Sequence, residues 1–224
     1  MNKSKIIYPK KRHLYTFIML HGMGSNIDNF NNFLSFFQSN IFFKDYYDSV
    51  KFIIPQSPTI DVHYPNNTLF NCNSWYDYYT QYDGIENIDE ISQNDFQKST
   101  QRILKIINKE NKLINNKNIF LIGVSQGGTL IFNILKYLKY PIGKSFIIDS
   151  VYMYNYINLK QCQTPINIIS HFLDEIYTYD FQKYCLTYLT NNNISYNFLT
   201  IDHGYHAEES TEQFIYILNN IFIK

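Results

Sequence analysis

A short apolar run passes directly into a glycine-rich turn in the sequence NIFLIGVSQGG, residues 118–128. A continuous apolar run of this length is typical of a strand that is covered on both faces of a sheet. Apolar residues then recur at the spacing of one helix face, at Leu130, Ile131, Ile134, Leu135 and Leu138. The sequence therefore predicts a strand over 118–122, a tight turn and a helix, with Ser125 at the turn.

The turn has the pattern G-x-S-x-G, in which Gly123 and Gly127 flank Ser125. Because the chain reverses so tightly here, side chains two positions before or after the serine would clash, and glycine avoids the clash. The serine is then held at an exposed, strained apex in front of a helix N-terminus. In this strand–turn–helix context the pattern predicts a nucleophilic serine, with a structural glycine-rich helix start as the alternative.

Strands and helices alternate along the rest of the chain. Further apolar runs are interpreted as strands at 15–20, 50–54, 145–148, 166–169 and 196–201, and helical periodicity covers about 95–112 and 214–222. This alternation predicts an α/β fold with a mostly parallel central sheet and helices on both faces. No linker divides the chain, so residues 1–224 are expected to form one domain. The irregular segment 55–90 is expected to cover the substrate.

Composition excludes several classes of protein. The 224 residues include 19 basic and 19 acidic side chains, which argues against a nucleic-acid partner. The apolar run 14–20 is too short for a membrane span and lacks the features of a signal peptide. The cysteines Cys72, Cys162 and Cys185 are odd in number and lack metal-ligand spacing. We therefore expect a cytoplasmic protein with reduced thiols, no bound metal and no organic cofactor.

A second glycine-rich turn follows the predicted strand 15–20, in the sequence LHGMG, residues 20–24. An oxyanion hole in this class of fold takes one backbone N–H from such a loop and one from the residue after the nucleophile. The pattern therefore nominates the N–H groups of Met23 and Gln126, and the alternative is an ordinary turn at a strand end. His21 is expected to pack the loop rather than to act as a base.

Candidates for a base and an orienting acid follow the last two predicted strands. Asp174 and Glu175 come after strand 166–169, whereas His203 and His206 come after strand 196–201. A serine hydroxyl needs an imidazole to take its proton, and the imidazole needs a carboxylate to hold its tautomer. The chain order Ser, Asp, His is that of the α/β-hydrolases. Position favours His206 over His203 and Asp174 over Glu175, and no ligand set supports a metal site at the two histidines.

Four motifs together carry a family resemblance: LHGMG at 20–24, PQSP at 55–58, SWYD at 74–77 and GVSQGG at 123–128. In order and spacing they resemble the acyl-protein thioesterases, a family also called phospholipase/carboxylesterase or lysophospholipase-like α/β-hydrolases. The resemblance extends from about Phe17 to the C-terminus. It implies the α/β-hydrolase fold and a Ser-His-Asp hydrolase that removes fatty acyl groups from protein cysteines, and often from lysophospholipids or small esters.

The resemblance also assigns roles to individual residues. It implies a triad and an oxyanion hole at Ser125, Asp174, His206, Met23 and Gln126, and an acyl channel lined by Trp75 and Leu69. For Trp75 the alternative is plain core packing. The acid loop departs from the family, because SHFLDE at 170–175 stands where His-Gly-Asp-x-Asp-Pro is usual, and the loop before His206 is one residue shorter.

The leading functional hypothesis is the cleavage of long-chain acyl thioesters from proteins, that is depalmitoylation, through an acyl-Ser125 intermediate. A lysophospholipase or small-ester carboxylesterase would use the same residues, and the altered acid loop leaves a catalytically inactive binding module as a further alternative. The expected partners are S-acylated proteins or lipid esters, met in transient contact with a membrane. The aromatic-rich segment 55–90 is a candidate face for lipid or for a second copy in a homodimer.

Overall fold

The computed structural model describes residues 3–63, 69–80 and 87–223. The strands are β1 (Ser4–Ile7), β2 (Tyr15–Leu20), β3 (Val50–Pro55), β4 (Thr59–Val62), β5 (Phe70–Asn73), β6 (Ile119–Val124), β7 (Lys144–Ile148), β8 (Ile166–His171) and β9 (Tyr196–Ile201). The α-helices are α1 (Asn31–Ser39), α2 (Lys44–Tyr47), α3 (Gln93–Glu110), α4 (Gln126–Tyr137), α5 (Tyr179–Asn191) and α6 (Thr211–Phe222). Each predicted strand and helix is present, with ends that differ by a few residues.

The central sheet has seven strands in the order β1-β3-β2-β6-β7-β8-β9. Strand β1 pairs antiparallel with β3, and all other pairs in this sheet are parallel. The α/β class with a mostly parallel sheet is therefore confirmed. Because parallel neighbours place their carboxyl ends along one edge, the loops after β2, β6, β7, β8 and β9 share that edge.

Two hydrophobic clusters cover the two faces of the sheet, and alternation along β2 divides its side chains between them. Ile18 and Leu20 belong to the cluster that α3, α4 and α5 cover, whereas Phe17 and Met19 belong to the cluster under α1 and α6. Strands that are buried on both faces read as continuous apolar runs. This burial explains why the runs in the sequence predicted the parallel strands.

The segment 55–90 is less irregular than the sequence predicted. It contains the hairpin of β4 and β5, paired from Thr59 opposite Asn73 to Val62 opposite Phe70. Tyr78 also forms an isolated bridge with Ile91, just beyond the segment. The prediction of an irregular segment is therefore wrong for these two strands. Residues 64–68 and 81–86 lie outside the described part of the chain. No helix among the described residues has both the length and the apolar composition to cross a membrane.

Candidate active site

Ser125 stands alone between the end of β6 and the start of α4, at a φ of 53° that L-residues seldom adopt. Its N–H donates to Ile148 O at 2.8 Å, which fixes the turn on β7. A Cβ on Gly127 would collide with Leu20 O, and one on Gly123 would come within 2.6 Å of Gly127 O. The glycines are therefore required by close backbone packing, as the sequence predicted.

The structure brings Ser125, His206 and Asp174 into one chain of hydrogen bonds. Ser125 Oγ lies 2.8 Å from Nε2 of His206. Nδ1 of His206 lies 2.9 Å from Oδ1 and 2.8 Å from Oδ2 of Asp174. With the proton of the neutral ring on Nδ1, Nε2 is left free to accept the serine proton.

The two alternatives for acid and base lie elsewhere. His203 is exposed on the surface. Glu175 accepts the backbone N–H of His206 at 3.0 Å, and this hydrogen bond lowers the pKa of Glu175. Glu175 therefore fixes the loop that carries His206, whereas Asp174 contacts the ring.

Asp174 is held from several sides although its loop departs from the family pattern. Its Oδ1 accepts the N–H groups of Ile176 at 2.9 Å and Tyr177 at 2.8 Å, and its Oδ2 accepts Nε2 of Gln182 at 3.1 Å. The side chain is buried. These three donors hold the carboxylate in one orientation. Gln182, on α5, was not found from the sequence, because no motif points from that helix to the site.

The loop 21–25 lies beside Ser125, and its turn is closed by a hydrogen bond from Ser25 N–H to Gly22 O at 3.3 Å. Met23 lines the same pocket as Ser125. Gln126 is the first residue of α4, and the helix itself offers no acceptor for the N–H at this position. Gln126 thus directly follows the serine and Met23 lies on the wall of the same pocket, and the oxyanion role of their N–H groups stays a prediction.

His21 holds this loop from below and does not contact the triad. Its Nδ1–H donates to Gly22 O at 2.7 Å, and its Nε2 accepts Ser57 N–H at 3.1 Å. Burial, aided by the positive charge of Arg102, lowers the pKa of His21 to about 4. The ring is therefore neutral near pH 7, and its two nitrogens join the loop at Gly22 to Ser57.

Trp75 is not part of the pocket wall that the described residues form, and its burial favours the alternative of core packing. The side chain is fully buried, and its indole N–H donates to His21 O at 2.8 Å. Its backbone N–H donates to Oε1 of Gln126 at 2.8 Å, and Nε2 of Gln126 donates to Tyr76 O at 2.9 Å. The SWYD motif is thus a clamp that joins the loop at His21 to the start of α4.

Leu69 also lies away from the pocket. Its side chain is 64% exposed, and it precedes the first residue of β5. The prediction that it lines an acyl channel is therefore not met by the pocket of the described residues. Leu69 directly follows residues 64–68, which lie outside the described part of the chain.

A cavity of about 260 Å³ opens directly in front of Ser125. Tyr78 and Tyr177 stand on its wall with their hydroxyls 3.2 Å apart. The wall consists of Gly22, Met23, Ser25, Asn29, Tyr78, Asp89, Val124, Ser125, Ile176, Tyr177, His206 and Ala207. The described residues include no group of three His, Cys, Asp or Glu side chains that could hold a metal ion. The arrangement is suited to acyl transfer through a serine.

Comparison with protein families and solved structures gives consistent findings. The profile of the family described as Phospholipase/Carboxylesterase matches residues 1–220. The crystal structure of acyl-protein thioesterase 2 from Zea mays aligns with a TM-score of 0.77 at 15% identity, over 99% of this chain and 100% of that chain. SOBER1 from Arabidopsis thaliana aligns with a TM-score of 0.76 at 19% identity, over 92% and 97%.

A carboxylesterase from Bacillus cereus aligns with a TM-score of 0.71 at 13% identity, over 98% of this chain and 92% of that chain. At these identities the likeness establishes the fold, and the predicted α/β-hydrolase architecture is confirmed. No curated protein matched the sequence significantly.

Proposed function

The chain belongs to the phospholipase/carboxylesterase family, and on this premise we propose that it is a serine hydrolase of acyl esters and thioesters. The observation that carries the proposal is the 2.8 Å contact between Ser125 Oγ and His206 Nε2, with Asp174 on the other nitrogen of the ring. A serine hydroxyl becomes a competent nucleophile when an oriented imidazole accepts its proton.

The reaction proceeds in two half-reactions. His206 takes the proton of Ser125 as the oxygen attacks the acyl carbon, and then gives that proton to the departing alcohol or thiol. Asp174 stabilises the imidazolium while it lasts. In the second half-reaction His206 takes a proton from water, the hydroxide attacks the acyl-Ser125 ester, and the acid leaves as Ser125 recovers its proton.

The negative oxygen of each tetrahedral intermediate is stabilised by the N–H groups of Met23 and Gln126. Backbone donors that are fixed before the reaction are effective, because no reorganisation is needed as charge develops. The clamp formed by Trp75 and the side chain of Gln126 supports this role, since it joins Gln126 to His21, which lies two residues before Met23.

For the substrate we propose acyl groups on protein cysteines, met at a membrane surface. The similarity of fold to acyl-protein thioesterase 2 suggests this class, and the apolar and aromatic side chains on the wall of the cavity suit an acyl chain. Exposed Phe172, Leu173 and Tyr205, in the loops that carry Asp174 and His206, offer apolar contact to a lipid surface.

A small-ester carboxylesterase is the second candidate. The cavity of about 260 Å³ favours it, because clefts for drug-sized ligands usually hold roughly 300–1,000 Å³. An inactive binding module has less support, since Asp174 accepts two backbone N–H groups of its own loop although the sequence of that loop is altered.

The test is hydrolysis of matched p-nitrophenyl esters and acyl thioesters by the wild type, Ser125→Ala and Ser35→Ala. Ser35 is an exposed serine on α1 and serves as the matched control. We expect Ser125→Ala to lower kcat about 10⁴-fold and Ser35→Ala to leave kcat unchanged. Retention of activity in Ser125→Ala would contradict the proposal. A wild type that is inactive on every substrate and inert to a fluorophosphonate would favour the binding module.

A further inference from the structure

The end of β7 contacts the turn that carries Ser125. Ile148 O accepts the N–H of Ser125, and Oγ of Ser150 donates to Ser125 O, each at 2.8 Å. A Cβ on Gly128 would collide with Ser150 Oγ, so the glycine after Gly127 is required by this contact. The two residues on either side of Asp149 thus hold the serine turn from both its N–H and its carbonyl.

Asp149 itself reaches the other two loops of the site. Its Oδ1 accepts the backbone N–H of His171 at 2.8 Å. Its Oδ2 accepts Nδ1–H of His171 at 2.7 Å and the backbone N–H of Ala207 at 3.0 Å. Ala207 directly follows His206, and His171 O accepts the N–H of Asp174 at 3.3 Å. One carboxylate therefore connects the loops that carry the acid and the base.

Backbone conformation shows how firmly this connection constrains the chain. Asp149 has a φ of 45° and Ala207 a φ of 58°, in the left-handed region that favours glycine. One hydrogen bond, from Ala207 N–H to Asp149 Oδ2, joins these two residues. It therefore helps to hold two unfavourable backbone conformations at once. Gly204 has a φ of 90°, and a Cβ there would come within 2.7 Å of Cδ2 of His171.

The carboxylates around His171 raise the pKa of its ring. Asp149 and His171 are both fully buried, and a carboxylate is retained in such a place only with donors and a counter-charge. Burial alone lowers the pKa of His171, but the hydrogen bond to Asp149 and the negative charges of Asp149, Asp174 and Glu208 outweigh it, and the pKa is raised.

We propose that Asp149 and His171 are positioning residues for the reaction, which fix the loops of Asp174 and His206 relative to Ser125. The inference rests on the proposed serine hydrolase function and extends it to residues that do not touch the substrate. Misplacement of a catalytic group by about 1 Å can cost roughly 10²-fold in rate. Loss of the pair should therefore lower kcat, while substrate binding in the pocket, and so KM, is retained.

The first test compares Asp149→Asn with Glu110→Gln, which neutralises a different buried carboxylate. Glu110 pairs with Lys51 at 2.7 Å near the amino ends of the strands, away from the site. An asparagine has one acceptor oxygen for the three N–H groups that the carboxylate serves. We expect kcat to fall roughly 10- to 100-fold in Asp149→Asn with KM within about twofold of wild type. Glu110→Gln should lose thermal stability but keep kcat.

The second test separates position from packing at His171. His171→Asn keeps an N–H donor near the place of Nδ1, whereas His171→Leu keeps bulk without a donor. We expect kcat of the asparagine variant within about threefold of wild type and kcat of the leucine variant at least about tenfold lower. If Asp149→Asn does not fold, the two His171 variants still test the positioning role.

Two results would overturn the inference: kcat within twofold of wild type in Asp149→Asn, or equal kcat in the two His171 variants. Ser125→Ala in the same assay separates this failure from a failure of the proposed function. If Ser125→Ala is inactive and Asp149→Asn is normal, the hydrolase function stands and the positioning role does not.

Discussion

His21 makes the stability of the protein depend on pH. Its pKa is lowered from 6.5 to about 4, chiefly by burial. Between these values the unfolded chain binds a proton at this ring that the folded chain does not, so stability falls as pH falls. The pKa difference corresponds to a loss of about 3 kcal/mol in the free energy of unfolding. Urea denaturation at a series of pH values from 7 to 4 measures this loss.

The matched variant for this measurement is His21→Gln, which keeps a polar side chain without a titratable ring. Its free energy of unfolding should be lower than that of the wild type at pH 7, and the difference should shrink towards pH 4. Carboxylates that titrate in the same range cancel in the comparison. Parallel curves for the two proteins would show that His21 does not titrate in this way.

Individual residues of the site differ in how far the sequence could predict them. Ser125, Asp174 and His206 follow strand ends in a fixed chain order, so local pattern and order were sufficient to place them. Asp149 and Gln182 were missed, because their roles arise from strands and helices that meet only in the folded sheet. Trp75 was placed in a channel from the resemblance, although its hydrogen bonds bind it into the core.

At the scale of elements, the last residue of α3 is tied to the amino ends of two strands. Glu110 accepts Nζ of Lys51 on β3 at 2.7 Å and the hydroxyl of Thr16 on β2 at 3.2 Å, and all of these side chains are buried. Removing one partner of a buried ion pair leaves the other charge unpaired and typically costs about 3–5 kcal/mol. We therefore expect Glu110→Gln to lower the free energy of unfolding by about 3 kcal/mol.

The control for this prediction replaces both partners. Because two apolar side chains leave no charge unpaired, Lys51→Met combined with Glu110→Leu should recover most of the loss. Chemical denaturation of Lys51→Met, of Glu110→Leu and of the double variant gives the coupling free energy of the pair. Additive losses in the double variant would mean that the pair does not hold α3 to the sheet.

Helices α1 and α2 were not predicted from the sequence, and four further elements, β1, β4, β5 and α5, were missed because they are partly exposed. Strand β1 is an edge strand with partly exposed residues, and hairpin strands β4 and β5 lie outside the central sheet. Helix α5 mixes exposed tyrosines such as Tyr184 with its buried residues, and this obscures the apolar spacing. The parallel strands were found because both of their faces are buried, so no polar residue interrupts the run.

At the scale of the whole molecule, the parallel sheet gathers the site and sets the size of its pocket. The loops after five strands meet at one edge, and the cavity of about 260 Å³ lies among them. This volume corresponds to roughly nine groups of the size of a water molecule or a methylene. An acyl chain of about eight to ten carbons would therefore fill the cavity that the described residues line, and further methylenes would extend beyond these residues.

This limit predicts the dependence of kcat/KM on acyl length. Each methylene that is buried contributes about 0.8 kcal/mol, so kcat/KM should rise by up to about fourfold per methylene from acetyl towards octanoyl. Beyond about decanoyl it should level off, because the added carbons stay outside the wall. A series of p-nitrophenyl esters from acetyl to palmitoyl, with Ser125→Ala as background, measures the position of the break.

Ile176→Ala locates the break on the pocket wall, since Ile176 lines the cavity and a smaller side chain enlarges it. The break should move to a longer acyl chain in this variant. Ile6→Ala, which truncates a partly exposed isoleucine on β1 outside the wall, should leave the profile unchanged. A specificity constant that falls with each methylene after acetyl would mean that this cavity does not hold the acyl group. A break that stays in place in Ile176→Ala would mean that the volume in front of Ser125 does not limit the acyl chain.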